Sequence, residues 1–415
     1  MPAVRTIQID ASAHCQLACP SCPTASGATR AAMKSGHLDP AAFESLLDAN
    51  PQLTDVELSN YGEMFLNPKL TELLRIAFER GVVIHADNGA NLNHAPLETL
   101  ESLVRYRVRS MTVSIDGASP ETYAQYRVKG DFDRVIGHIQ RVNEYKRKHC
   151  SVFPILTWQF VVFGHNEHEI DAAKRQAAEL GMGFKPKISW DNDFSPVRDP
   201  QLVQIQTGGL HATREDHYQA TGTAYARSIC YQLWNAPVLN WDGRVMGCCR
   251  NFWGDFGADA FQDGLAASLE TAKLQQAREA LMGRGPMDPA IPCSTCDLFL
   301  TMQRDGRWIA PNEIAPPGDP GILTSVVPVL GKSSATHVDI FVARGHAVNR
   351  QLLARPPRTQ RIQLGLNLGV LGLLPSAEYT VYALPKTDDR QLPPITMPIR
   401  LTERPIVQEF QLPID

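Results

Sequence analysis

The 415-residue sequence has no apolar run near the ~18 residues that a membrane-spanning helix needs, so an integral membrane helix is not expected. It has no excess of positive charge. The 40 Lys and Arg against 44 Asp and Glu leave a net charge of −4, with a pI near 6.3. No basic field points to nucleic acid or to an anionic membrane surface. The N-terminal stretch Met1-Pro-Ala-Val-Arg-Thr-Ile enters a strand-like run with no signal-peptide apolar core, so the expected location is cytoplasmic. There is no internal repeat and, outside one Pro/Gly stretch, no low-complexity tract. After Cys296 there is no cysteine at all, which leaves the last quarter of the chain without a thiolate metal site.

What is present is concentrated. Of nine cysteines, three lie at 15–22 and five at 230–296, with Cys150 alone and read as an incidental thiol near a helix end. Cytosolic thiols stay reduced, so the clusters ask for metal rather than disulfides. The first cluster, His14-Cys15-Gln-Leu-Ala-Cys19-Pro-Ser-Cys22-Pro23, follows the strand-like run 4–9. Three thiolates on one tight loop hold three irons of a cubic iron–sulfur cluster and leave the fourth iron open to chemistry. Zinc with His14 as fourth ligand and plain buried thiols are the alternatives for this loop.

From 4 to about 190 short apolar runs alternate with amphipathic segments. Strands are expected over 5–9, 55–59, 82–86, 110–115, 157–163 and 184–189, and helices over 40–50, 70–80, 96–104, 132–148 and 167–180. Repeated β-α units with near-continuous apolar strands predict a parallel sheet covered by helices, here a partial (β/α)6 TIM-like barrel. In such barrels the active site lies at the C-terminal ends of the strands, where the cysteine loop falls.

The cysteine loop resembles the signature of the radical S-adenosylmethionine (SAM) superfamily. Other strand-end motifs follow in order. Asn60-Tyr61-Gly62-Glu63 is similar to the Gly-Gly-Glu stretch that holds the SAM ammonium, with Tyr61 departing from the pattern. Asp87-Asn88-Gly89-Ala90-Asn91 resembles the family's Thr-Asn-Gly loop. Ser114-Ile-Asp116-Gly117, with Glu121 and Tyr123 behind it and then Arg127, Gly130 and Phe132, resembles the branch carrying a SPASM domain. The resemblance implies cofactor contacts from Gly62, Glu63, Asn88, Ser114, Asp116 and Arg127. Of these, Ser114 and Asp116 would meet the ribose diol and Arg127 the SAM carboxylate. Ser21 stands where relatives place an aromatic residue before the third cysteine, leaving the adenine contact to Val161, Val162 or Phe163.

The second cysteine set opens at Cys230 after a polar connector over 191–229 with a helix expected near 215–226. Asp242-Gly243 between apolar runs predicts a two-residue type I′ hairpin, and a helix is expected over 265–281. The order Cys230, Cys248, Cys293, Cys296 resembles the twitch type of auxiliary domain, which implies a second 4Fe-4S cluster on those four cysteines. Adjacent strand residues point to opposite faces, so Cys249 is the spare. Zinc is the alternative here as well.

The expected organisation is a barrel over 1–200, a small α+β twitch domain over 201–309, a Pro/Gly linker over 310–322 and an all-β, sandwich-like domain over 323–415. Strands of that last domain are expected over 337–343, 361–368, 378–384, 395–401 and 406–412. The resemblance implies reductive SAM cleavage to a 5′-deoxyadenosyl radical and hydrogen abstraction from a small-molecule substrate such as a sugar, cyclitol or natural-product intermediate. It also implies an auxiliary cluster that accepts an electron and an external donor such as flavodoxin or ferredoxin. A peptide substrate is the second reading, disfavoured by the absence of an N-terminal peptide-binding domain. A zinc-binding scaffold without chemistry is the third. No catalytic acid or base is identified; Cys249, Lys187 and Asp191 are the candidates for substrate contact.

Overall fold

Strands here carry apolar residues on one side and polar residues on the other, and that alternation sets the architecture. In the computed structural model the described residues are 4–149, 151–314, 322–329, 333–345, 348, 350–354, 359–363, 369–374, 378–400 and 407–412. Cys150 and residues 315–321 of the expected linker lie outside them. The chain divides into two compact units, Met1–Val142 with Leu156–Ile314, and Asn143–Ile155 with Ala315–Asp415.

The first unit is built on β1 (Thr6–Ile9), β2 (Asp55–Glu57), β3 (Val83–Ala90), β4 (Ser110–Ser114), β5 (Ile155–Val162) and β6 (Gly183–Ile188). Ile7, Ile9, Val56, Ile84, Ala86, Met111, Val113, Trp158 and Phe160 are all buried. The intervening positions are polar and share one face along the register Gln8↔Glu57↔His85↔Ser110. Gln159 pairs with Lys185 and Val161 with Lys187. The strands are therefore alternating, not near-continuously apolar as expected, and the lumen is lined by polar groups.

Local sequence sets the helix boundaries. Asp39 caps the helix Pro40–Ala49 by accepting from the Ala41 and Ala42 amides, with Pro40 at the first turn. Ser119 does the same for Pro120–Tyr126. β3 runs to Ala90 instead of stopping at 86, with an irregular register between Ala86 and Ala90. The Asn88-Gly89 motif is thus an extension of the strand.

The second cysteine region does not stand apart. Its strand β7 (Val238–Leu239) pairs in parallel with β1, and β8 (Val245–Gly247) pairs antiparallel with β7. One eight-stranded sheet results, in the order β6-β5-β4-β3-β2-β1-β7-β8. The β7–β8 turn differs from the type I′ expectation. Asn240 N donates to Arg244 O, Gly243 N donates to Asn240 O, and only Gly243 has positive φ, at 90°. That is a three-residue loop with glycine at the left-handed position. The helix expected over 265–281 is two, Leu265–Ser268 and Ala272–Leu281, because Thr271 caps the second. The connector forms Pro200–Thr207, which was not expected, and Arg214–Thr221 between a Thr213/Asp216 capping box and Gly222.

The second unit has two sheets, β11-β10-β13-β14 and β12-β9-β15. Its strands are β9 (Ile322–Val329), β10 (His337–Arg344), β11 (Gln360–Gln363), β12 (Gly369–Leu374), β13 (Glu378–Lys386), β14 (Ile395–Arg400) and β15 (Val407–Gln411). Val338, Ile340, Ile362, Val381, Ala383 and Ile399 of the first sheet cluster with Phe410 and Leu412. β9 and β12 were not expected; Pro328 within β9 argues against a strand on sequence grounds. β15 runs parallel to β9, so this smaller sheet is mixed. No helix of the described residues is long and apolar enough to cross a membrane.

Candidate active site

The loop after β1 is stapled to its neighbours. Asn67 Nδ2 donates to the Ala11 and Leu38 carbonyls at 2.8 and 3.0 Å, and Glu63 N donates to His14 O at 2.7 Å. Gly62 makes this approach possible, since a Cβ there would stand 1.6 Å from Ser12 O. Cys15, Cys19 and Cys22 gather with Leu17, Tyr126, Val161, Phe163 and Phe194. Burial pushes the Cys15 thiol up to about 12, with Glu63 and the other two thiols adding to the shift. The His14 ring instead lies 4.8 Å from that of His37.

Two polar arms flank the thiols. On one side Glu63 Oε2 accepts from Asn91 N at 2.6 Å and Oε1 from Phe65 N at 3.2 Å. Asn91 Nδ2 lies 3.7 Å from Cys15 Sγ, and Gln16 Nε2 donates to Asn91 Oδ1 at 2.7 Å. Burial raises the Glu63 carboxyl to about 7. On the other side Asp116, fully buried, accepts from Val161 N at 2.7 Å and from Arg127 Nε at 2.6 Å. Between the arms, Ser114 Oγ accepts from Gln159 Nε2 at 3.2 Å and would be 2.4 Å from a Cβ at Gly89. Asn88 ties β3 to β2 through Ser59, donating from its amide to Oγ at 3.1 Å and from Nδ2 to the carbonyl at 3.0 Å. The six motif residues thus fall on one strand-end face. Asp116 and Arg127 form an ion pair with each other, and the adenine candidates Val161 and Phe163 pack on the cysteine cluster.

The second set is also brought together. Cys230 is within electrostatic reach of Cys248, Cys293 and Cys296. Cys249 turns the other way: its amide donates to Gln232 Oε1 at 2.8 Å, its side chain packs with Tyr61, Met33, Met246 and Phe252, and its charged neighbours are Lys187 and Glu57. Asp191 is committed elsewhere, accepting from Ser21 Oγ and from the Asp193 and Phe194 amides. Sequence reasoning missed Asn91 and Gln16 as neighbours of Cys15, and it missed Asp10. Asp10 is buried with Oδ1 unpartnered, and burial raises its carboxyl to about 8. Its alternation with Gln8 on β1 was the available signal.

Among the described residues no three His, Cys, Asp or Glu side chains converge closely enough for a single metal ion. A cubic cluster instead spreads its thiolates over separate irons.

Residues 10–176 match the family model described as the Radical SAM superfamily. That stretch carries a radical SAM domain. It is 30% identical over 182 residues to the AdoMet-dependent heme synthase of Methanosarcina barkeri, over 43% of this chain and 48% of that protein. The chain therefore matches about half the length of that curated relative. The radical SAM fold is shared with the Streptococcus suis protein SuiB bound to S-adenosylmethionine, at 14% identity and TM-score 0.52 over 71% of each chain. A second SuiB structure gives 12% identity and TM-score 0.52 over 75% of this chain and 77% of that one. The superfamily implies a 4Fe-4S cluster and SAM, and the three-thiol loop has the donor chemistry to hold that cluster with one iron open.

Proposed function

We propose that the chain is a radical SAM enzyme acting on a small polar molecule, with a second cluster on Cys230, Cys248, Cys293 and Cys296. The observation that carries this reading is the Cys15/Cys19/Cys22 loop at the end of β1, between the Glu63–Asn91 and Asp116–Arg127 arms. When bound, the first cluster and SAM supply a 5′-deoxyadenosyl radical. The protein's part is binding and exclusion of water. Cys15, Cys19 and Cys22 would hold three irons. Gly62 lets the β2 loop close on the cysteine loop, and Glu63, buried and hydrogen-bonded, would accept from the SAM ammonium. Ser114, Asn88 and Asp116 would meet the ribose, and Arg127 would meet the SAM carboxylate with the end of its guanidinium that Asp116 does not hold. Cys230, Cys248, Cys293 and Cys296 would hold the auxiliary cluster by four thiolates, and the chemistry it would supply is one-electron acceptance.

A small polar substrate is supported by Lys187 on β6 and Cys249 after β8, which lie within electrostatic reach of one another. These two strands are the edges of the sheet. A peptide is the second reading, supported by the same fold in SuiB bound to its precursor peptide SuiA, at 13% identity and TM-score 0.50 over 71% and 70% of the two chains.

The test is anaerobic reconstitution, iron and sulfide counting, and chromatography for 5′-deoxyadenosine after dithionite and SAM. About eight irons are expected, with deoxyadenosine abolished in the Cys15/Cys19/Cys22→Ala triple variant. Bound zinc without SAM cleavage would leave only a scaffold.

A further inference from the structure

Lys187 lies at the end of β6, and its side chain makes no hydrogen bond or ion pair among the described residues. Two residues on, Ser189 O accepts from Arg214 Nε at 3.2 Å. The Arg214 guanidinium rests on the Tyr225 ring, 5.5 Å from its centroid, and the Tyr225 hydroxyl accepts from Ile188 N at 3.4 Å. Arg214 is thus clamped beside the end of β6, with its two terminal nitrogens lacking an acceptor among the described residues. Arg250, next after Cys249, is engaged elsewhere: it pairs through Nη2 with Asp297 at 2.7 Å and hydrogen-bonds Cys296.

These cations act on one another. Lys187 is opposed by Arg214 and Lys185, and Arg214 by Arg250. The two carboxylates in reach do not balance them. Asp116 is held by Arg127, and Asp297 is shared with Arg250 and largely exposed. Like charges gathered in a partly buried place are unfavourable until an anion joins them. A guanidinium fork beside an ammonium suits a carboxylate or phosphate.

We infer that Lys187 and Arg214 form the anchor for an anionic group, a carboxylate or phosphate, on a small-molecule substrate held beside Cys249 at the barrel mouth. This names a substrate class for the radical SAM site and rests on that reading.

The test is calorimetric titration of the reconstituted full-length protein, anaerobically and without SAM, with inorganic phosphate and separately with succinate. Saturable binding of at least one is expected, weakened tenfold or more by Lys187→Met and by Arg214→Gln, which keep most of the side-chain bulk. Lys185→Ala, at an exposed neighbour, should bind within twofold of the parent, and melting temperatures of all three variants check folding. Phosphate binding alone would indicate a phosphorylated substrate, succinate binding alone a carboxylic acid. No saturable binding, or binding unchanged in both Lys187→Met and Arg214→Gln, overturns the inference. Displacement of the probe by saturating SAM also overturns it, because the cluster would then serve SAM itself. No SAM cleavage enters the assay. Probe binding without deoxyadenosine formation would sink the radical SAM reading and leave the anion site standing, while deoxyadenosine without probe binding would do the reverse.

Discussion

Arg127 Nε donates to Asp116 Oδ2 at 2.6 Å, and the same guanidinium places Nη1 3.9 Å from Cys19 Sγ. One side chain therefore joins the carboxylate beyond β4 to the cysteine loop beyond β1. Asp116 has no exposed side-chain surface and Arg127 little. Removing one partner leaves the other charge buried without compensation. Arg127→Ala is expected to cost about 3–5 kcal/mol, read by urea unfolding under anaerobic conditions. The double variant Arg127→Ala/Asp116→Asn should recover part of that loss; no recovery would mean that Asp116 does not depend on Arg127.

Cys248 and Cys249 are neighbours in sequence but face different groups. Cys248 answers to Cys249, Cys296 and the Arg250 and Asn251 amides, while Cys249 answers to Gln232, Lys187 and Glu57. Cys248→Ala should lower the iron content of reconstituted protein by up to about four per chain, and Cys249→Ala should leave it unchanged. Equal losses in both would reverse the ligand choice.

Asp10 sets a pH dependence. Burial and the nearby Glu57 carboxyl raise its folded-state value to about 8, against the Tyr61 amide that favours ionisation. Between pH 4 and 8 the folded chain keeps a proton that the unfolded chain releases, so this group's stabilising contribution falls as pH rises through that window and levels off above it. Asp10→Asn removes the slope. Its melting temperature should gain on the parent from pH 5 to pH 8, by the equivalent of about 1–3 kcal/mol at the upper end. Parallel melting curves across that range would show that Asp10 is ionised in the native protein.

Gly62 is required by contact and not by backbone angle. With Ser12 O at 1.6 Å, Ser12 C at 2.5 Å and Ala13 Cα at 2.9 Å from a modest added Cβ, Gly62→Ala must separate the β2 loop from the cysteine loop. The Glu63–His14 hydrogen bond lies in the same contact. Loss of deoxyadenosine formation, with a melting temperature several degrees lower, is the expected result.

Much of this was legible locally. The cysteine loop, the strand-end motifs and the alternation of strands and helices depend on short-range patterns, and caps such as Asp39 and Ser119 mark where helices begin. β9 and β12 were harder, because a strand containing Pro328, or one rich in Gly and Leu, is chosen by its pairing partner and not by its own residues.

The chemistry available is legible along the chain: three thiols on one loop, four more downstream, and acids, amides and an arginine at successive strand ends. Their partners follow from tertiary packing. Parallel pairing of β7 with β1 joins the second cysteine region to the barrel sheet, and the turn after β8 sends Cys248 and Cys249 to different neighbours. That same packing brings Arg214 beside the end of β6, where Lys187 stands. The reason is physical: backbone pairing and charge proximity depend on which segments become neighbours, and Lys187 and Arg214 share an environment only when their segments pack together.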